Sequence, residues 1–397
     1  YYNNWNFSKK LIDEYLFTLS KTKINNIEIG FLTIPYDSTK GITANCDKNF
    51  FKTIKIPKNM NIGIMINATD FLTDKLNDKE IFKILDNIPK SKVKFIRIAC
   101  HFKHLFKIKK YFKFLKKSGF KIFLNIMQIS DIPDGDIKRV CKDYKKLADV
   151  IYFADSFGSL NDKQFKTIIK KFKDNTEVEL GIHAHDNMGK ALSNTISAYK
   201  NSVYWLDSTL MGMGRGPGNT KTEDLVKFIF GAKNSTTIQI RKIIPKFKLL
   251  KKIYNWGTNK FYFLAGKHKI HPTYIQMLLS DNRYKEFDFK KIILNLKKFD
   301  ARKFNPNTLF LAMNFFQIKD TKKIIFEKNE ISFKKDVVIF GNGKTLKDKK
   351  FFKKKLFNDF TKILINRSEF IDDTKMDLIS YCHPLRLMTD INFIKKN

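Results

Sequence analysis

The sequence predicts an α/β fold: a (β/α)8 TIM barrel with its first strand missing from the chain, a helical appendage, and a partial C-terminal α/β segment. Three observations carry this expectation. Short apolar, β-branched runs alternate with lysine-bearing amphipathic stretches from residue 9 to about 230. Seven such runs recur about 30 residues apart, the length of one strand–helix–strand unit. No glycine-rich phosphate loop follows an early run, as an open dinucleotide-binding sheet would require.

The predicted strands are "NIEIGFL" (26–32), "NIGIMINA" (61–68), "VKFIRIAC" (93–100), "FKIFLNIM" (120–127), "DVIYFAD" (149–155), "VELGIHAH" (178–185) and "VYWLDSTL" (203–210). Between them "KEIFKILDNI", "IKRVCKDYKKLA" and "KQFKTIIKKFK" repeat apolar residues at helical spacing. Regular alternation implies parallel strands joined by right-handed crossovers. A closed barrel needs eight strands, so an eighth is expected just before Tyr1, which is not a methionine. The barrel domain is placed at 1–230. Residues 231–318, with "IRKIIPKFKLLKKIYNW", "PTYIQMLLS" and "FKKIILNLKKF", form the helical appendage. A partial Rossmann-like α/β segment is placed at 335–397, opening on "KDVVIFGNGKTLKDKKFF" and continuing through "KILINRS" and "MDLISYC".

Composition narrows the classes of function. With 43% hydrophobic and 14% aromatic residues in 397, the chain can bury a large core, and disorder is excluded. No uninterrupted apolar stretch is long enough to span a membrane, and no signal peptide opens the chain. Four scattered cysteines without metal spacing suit a reducing cytoplasm. The net charge of +37 invites a nucleic-acid reading. The excess is mostly lysine spread over every segment, with little of the arginine that reads bases and phosphates. Solvated lysine faces are therefore expected, and neither nucleic acid nor membrane is predicted as a partner.

"GIHAHDNMGKALSNT" (181–195) sets His183 and His185 two apart on a predicted strand that runs into a helix. Residues i and i+2 face one side, about 7 Å apart at the backbone, so both imidazoles can converge on one divalent cation. The alternative is a pair of hydrogen-bonded core histidines. After the next strand, "MGMGRGPGNTKTE" (211–223) is a glycine-rich loop. Gly214 and Gly216 permit close approach to a ligand, and Asn219 can reach across with its amide oxygen; a plain linker is the competing reading. Glu28, Arg97, His101 and Asp155 lie at predicted strand ends, where barrel enzymes keep their chemistry. Arg97 and His101 are catalytic candidates, and Glu28 and Asp155 substrate-binding candidates; each could instead satisfy a buried polar core. His268 and His271 read as structural. "FGNGKT" satisfies neither nucleotide motif, lacking a glycine at Val338 for one and at Leu346 for the other.

Taken together, "GIHAHDNMGKALSNTISA" and "YWLDSTLMGMGRGPGNTKTE" resemble the DRE-TIM metallolyase superfamily, which includes 4-hydroxy-2-oxovalerate aldolase, hydroxymethylglutaryl-CoA lyase and isopropylmalate synthase. "IEIGF", "FIRIACH" and "ADSFGSL" resemble its second, fourth and sixth strand ends, so the likeness covers roughly residues 1–265. It implies His183 and His185 as metal ligands, Asn219 as a ligand or supporting group, and Mn²⁺ or Mg²⁺ as the metal. The family's aspartate ligand and oxyanion-stabilising arginine would fall before Tyr1. Tyr1 stands about where the aldolases place a catalytic histidine, which makes it a catalytic candidate by position and, as a departure from that histidine, leaves the general base open. The glycine loop lacks the cysteine of the hydroxymethylglutaryl-CoA lyases. The implied function is metal-dependent cleavage or formation of a C–C bond in a 4-hydroxy-2-oxo acid through a pyruvate enolate. Its partners would be a small 2-oxo acid and an aldehyde, with a possible oligomer or partner enzyme. An acyl-CoA-dependent lyase or synthase on the same barrel, and a non-catalytic basic binding protein, are the alternatives.

Overall fold

Seven parallel strands pair strictly in chain order: β1 (Asn26–Phe31), β2 (Asn61–Asn67), β3 (Val93–His101), β4 (Lys121–Met127), β5 (Val150–Asp155), β6 (Glu179–Ala184) and β7 (Trp205–Leu206). A doubly wound sheet reverses direction at a switch point. Here every strand bonds its predecessor, so the chain winds one way, as a partial (β/α)8 barrel does. The computed structural model describes residues 3–281, 286–314, 336–341, 359–365 and 376–381.

Each predicted strand is present, with ends shifted by a residue or so except in β7, whose regular pairing is limited to Trp205 and Leu206. The helices that follow the strands are α1 (Lys9–Leu19, before β1), α2 (Lys48–Thr53), α3 (Asp78–Asp86), α4 (Lys109–Lys117), α5 (Asp134–Tyr144), α6 (Asp162–Lys173), α7 (Ala191–Lys200) and α8 (Thr222–Phe230). Local sequence sets their starts. Asn77 with Glu80 on α3, and Asn161 with Gln164 on α6, form reciprocal capping boxes that satisfy otherwise orphaned backbone donors. α6 buries Phe165, Ile169 and Phe172, one face at i, i+4 and i+7, and sends its lysines outward.

The core lies in two layers separated by the sheet. Outside it, Ile62, Ile64, Ile66, Ile96, Ile98, Ile122 and Leu124 pack against the helices and are fully buried. Inside, a distinct aromatic layer joins Phe95, Phe123, Val150 and Tyr152, with Trp205 against it. Phe95 and Phe123 stack at 4.7 Å between centroids, and Trp205 meets Phe123 edge-on at 4.8 Å. The rings fit because Gly63 and Gly181 face them bare: a Cβ at Gly63 would lie 1.9 Å from the Phe95 ring. One at Gly181 would lie 2.6 Å from the Tyr152 ring.

The chain divides into two compact units, residues 1–285 and 286–397. In the first, α9 (Ser235–Tyr254), α10 (Lys260–Lys267) and α11 (Pro272–Ser280) follow the barrel, and Ile240, Ile243 and Phe247 of α9 enter its core cluster. The second contains α12 (Glu286–Lys298), α13 (Pro306–Asn314) and a three-stranded parallel sheet ordered β10 (Leu378–Ser380), β9 (Thr361–Ile365), β8 (Val337–Phe340). All three strands fall on apolar runs legible in the sequence. The "NGKT" portion of the glycine turn lies outside the described residues. Among the described residues no helix is long and apolar enough to cross a membrane.

Candidate functional site

Above the aromatic layer the barrel interior turns polar, and one ionic relay crosses it. Pairing of β6 with β7 brings Ile182 opposite Leu206, and the Asp207 N–H donates to the Ile182 carbonyl at 3.0 Å. That places the Asp207 side chain beside His183. Asp207 Oδ2 accepts from His183 Nδ1 at 2.7 Å and from Nη1 of Arg97. Arg97 Nε donates to Glu28 Oε2 at 2.6 Å, and its guanidinium lies over the Tyr152 ring, 4.4 Å from the centroid. Glu28 and Arg97 prove to be mid-strand, because β1 continues to Phe31 and β3 to His101. The relay therefore sits inside the barrel mouth, below the loops.

Its electrostatics follow from burial. The Arg97 side chain is 6% exposed, and an isolated charge there would be prohibitive; two carboxylates compensate it. For Asp207, burial acts upward, but the Arg97 charge and the His183 bond outweigh it and hold the carboxyl below its ordinary value. Glu28 goes the other way: burial lifts its carboxyl above the usual range, with Arg97 opposing and the Asp207 charge adding to the rise. Among the described residues, none is hydrogen-bonded to Arg97 Nη2.

His185 completes the relay. Its Nε2 stands 3.2 Å from His183 Nε2, with the rings 73° apart. Because Asp207 engages Nδ1 of His183, the neutral ring carries its lone pair on Nε2. Burial, reinforced by His183, holds His185 well below the ordinary imidazole value, so the His185 ring is neutral. Two nitrogens at right angles, each about 2.1 Å from a cation, lie about 3.0 Å apart. The observed edge thus matches two adjacent coordination positions, and a carboxylate behind one ligand is the usual support. The pair fits a cation as a two-point grip; among the described residues no cluster of three His, Cys, Asp or Glu side chains is arranged to hold one.

The glycine loop closes over this corner. His185 and Asn219 form an isolated antiparallel bridge, and the Asp186 N–H donates to the Gly218 carbonyl at 2.9 Å. The Asn219 amide donates to the Met213 carbonyl at 3.3 Å, so this side chain braces the loop from within. Gly214 leaves room for it: a Cβ there would lie 2.7 Å from Asn219 Nδ2. Gly216, at φ +56°, lets the backbone pass Tyr262 and Pro272 of the capping helices.

His271, just before α11, accepts the Thr273 N–H on Nδ1. Burial, with Arg215 adding, pushes its pKa down to about 4 from the ordinary 6.5. The folded state therefore binds this proton less well than the unfolded chain. The associated stability is fully present above pH 6.5 and is lost as pH falls toward 4, up to about 3 kcal/mol. His271→Asn keeps a helix-capping acceptor and removes the titration. Urea unfolding at pH 7 and pH 4.5 should show a smaller drop for the variant by about 2 kcal/mol; an equal drop would refute this source of acid sensitivity.

The remaining candidates take other partners. His101 Nε2 pairs with Gln128 Oε1 at 2.9 Å, and its Nδ1 accepts from the Lys103 N–H. Asp155, 1% exposed, accepts the N–H groups of Ser159 and Leu160 and shapes the loop after β5; burial lifts its carboxyl to about 6. Tyr1 lies outside the described residues. The structure thus brings Glu28, Arg97, His183 and His185 together, with Asn219 bridged to His185. Sequence reading missed Asp207, the hub of the relay. Its signal was present: one residue beyond a predicted strand's apolar pair, on the strand next to the histidines.

A one-way parallel sheet whose interior carries an ionic relay and paired imidazoles, opening toward the carboxyl ends of its strands, defines a (β/α) barrel of the enzyme type. The chain belongs to the HMGL-like family, whose profile matches residues 3–248. The 4-hydroxy-2-oxovalerate aldolase of Carboxydothermus hydrogenoformans is 26% identical over 206 residues, 51% of this chain and 59% of the aldolase. The homocitrate synthase alpha subunit of Clostridium pasteurianum is 33% identical over 113 residues, 27% of this chain and 41% of that subunit. The match therefore spans well under two thirds of either relative. Among solved structures, the N-terminal domain of a Bacteroides vulgatus protein assigned as an aldolase superposes with a TM-score of 0.63 at 27% identity, covering 71% of this chain and 94% of that one.

Proposed function

We propose that the protein is a divalent-metal-dependent aldolase that cleaves or forms a C–C bond of a 4-hydroxy-2-oxo acid through a pyruvate enolate. The observation that carries this reading is the His183–His185 edge, two Nε2 atoms 3.2 Å apart with Asp207 fixing the tautomer of one. Likeness to an aldolase over half the chain supports it. A cation held by these imidazoles, Mn²⁺ or Mg²⁺, would supply a Lewis acid for the developing enolate charge.

Arg97, locked by Glu28 and Asp207, presents Nη2 and a fixed positive charge to the acid's oxygens without reorganising during reaction. In the cleavage direction one proton leaves the 4-hydroxyl to a base as the C3–C4 bond breaks and an aldehyde departs, and one proton is returned to C3 of the three-carbon enolate, so the reaction is proton-neutral overall. The aromatic floor below Arg97 keeps water from that side.

The test uses the full chain supplied with Mn²⁺ or Mg²⁺, followed by NMR of deuterium exchange into the pyruvate methyl group. Wild type should exchange, and chelation should abolish exchange reversibly. His183→Ala combined with His185→Ala should lose bound metal and exchange together. Exchange retained by the double variant would overturn the assignment. The likeness to a homocitrate synthase subunit favours a second reading, an acyl-CoA-dependent reaction on the same barrel; turnover with acetyl-CoA but not with pyruvate alone would select it.

A further inference from the structure

Asn125 carries a polar group that the protein itself leaves unused. It stands within β4, is 4% exposed, and its Oδ1 is buried without a hydrogen-bond partner among the described residues. Strand parity places it: Phe123, two residues earlier, belongs to the aromatic floor inside the barrel, so Asn125 faces the same interior one layer nearer the strands' carboxyl ends. Its neighbours in register are Ala99 on β3 and Tyr152 on β5. Ala99 fills little of the space beside it. Arg97 reaches across from β3 to lie over Tyr152, so its guanidinium crosses the level of Asn125.

A buried amide oxygen without a donor is costly and rare in native interiors. Among the described residues no group donates to it, and Arg97 spends Nε on Glu28 and Nη1 on Asp207. An acceptor and a charged donor, Arg97 Nη2, both without a partner among the described residues, therefore face the same barrel interior. That combination complements a ligand bearing both an anionic or keto oxygen and a hydroxyl.

We propose that Asn125 is a specificity-determining residue whose Oδ1 accepts a hydrogen bond from the hydroxyl of a hydroxy-2-oxo acid, while the acid's oxygens face Arg97. This rests on the aldolase reading above. A site with a buried partner for a hydroxyl discriminates against the analogue lacking it, because the polar group is then left unpaired.

Chelator-treated full-length protein, which cannot turn substrate over under that reading, is titrated calorimetrically with 4-hydroxy-2-oxopentanoate and with 2-oxopentanoate. Wild type should prefer the hydroxylated acid by about tenfold, the scale of one buried hydrogen bond. Asn125→Leu should bind both acids alike, keep wild-type affinity for 2-oxopentanoate, and unfold at an equal or higher temperature, since an orphaned acceptor has been removed. Asn125→Ala, which adds no bulk, should lose the same preference. A preference that survives in both variants overturns the proposal, as does a wild type that shows none. If wild type lacks the preference yet exchanges pyruvate protons with metal restored, Asn125 alone was misassigned; if exchange is also absent, the aldolase reading has failed with it.

Discussion

Asp207→Ala is expected to lower folding stability by about 3–5 kcal/mol, the range for removing one partner of a buried ion pair. The reason lies in what the carboxylate serves. It takes bonds from Arg97 and from His183 through one oxygen, and the Arg97 side chain is only 6% exposed. Without it, a buried guanidinium keeps one carboxylate instead of two, and His183 loses the acceptor that fixes its tautomer. Asp207→Asn keeps the shape and separates the two consequences. Its amide oxygen can accept the same bonds but without the charge, so stability should fall less, while metal affinity should drop about 10- to 100-fold, as expected for a supporting group behind a metal-bound histidine. Chemical denaturation of both variants with a Mn²⁺ titration measures the two effects separately. An alanine variant unfolding at the wild-type midpoint would show that Asp207 does not compensate Arg97.

Gly218→Ala should cost about 2–4 kcal/mol and disable the loop over the histidines. Gly218 adopts φ +82°, where a side chain costs about 1 kcal/mol or more, and a Cβ there would lie 2.2 Å from the Gly212 carbonyl oxygen. That contact is backbone, so no rotamer change relieves it. The loop must open, which breaks the Asp186 N–H to Gly218 and Asn219 N–H to Gly212 bonds that seat it beside His185. Gly189→Ala is the control, with similarly positive φ (+69°) but open space around a Cβ, and should show only the conformational cost. Thermal unfolding distinguishes them: equal losses at the two positions would mean that backbone angle, and not the carbonyl contact, decides the effect.

The strands and most helices were legible because their signal is local. A β-branched run such as "VKFIRIAC" and an amphipathic run such as "KQFKTIIKKFK" each state their own period, and their alternation states the parallel topology. The histidine pair was legible for the same reason, since residues two apart on one strand must share a face. Asp207 was not: its importance comes from Arg97, 110 positions away in sequence, and from the register of β6 with β7. Asn125 was hidden by its setting, a lone polar residue within the apolar stretch 122–127 of "FKIFLNIM". Only the absence of a partner among the described residues marks it.

Composition and spacing alone therefore determined the barrel, the strand that carries the imidazoles and the loop that covers them, because periodicity and glycine content act over a few residues. The tertiary structure decided which charges meet. Glu28, Arg97 and His183 come from three different strands and Asp207 from the residue after a fourth, and whether each compensates another depends on register and burial, which no single segment encodes. A charge removed from water must find its counter-charge within a few ångströms, and that requirement is satisfied only once the sheet has wound its strands around a common interior.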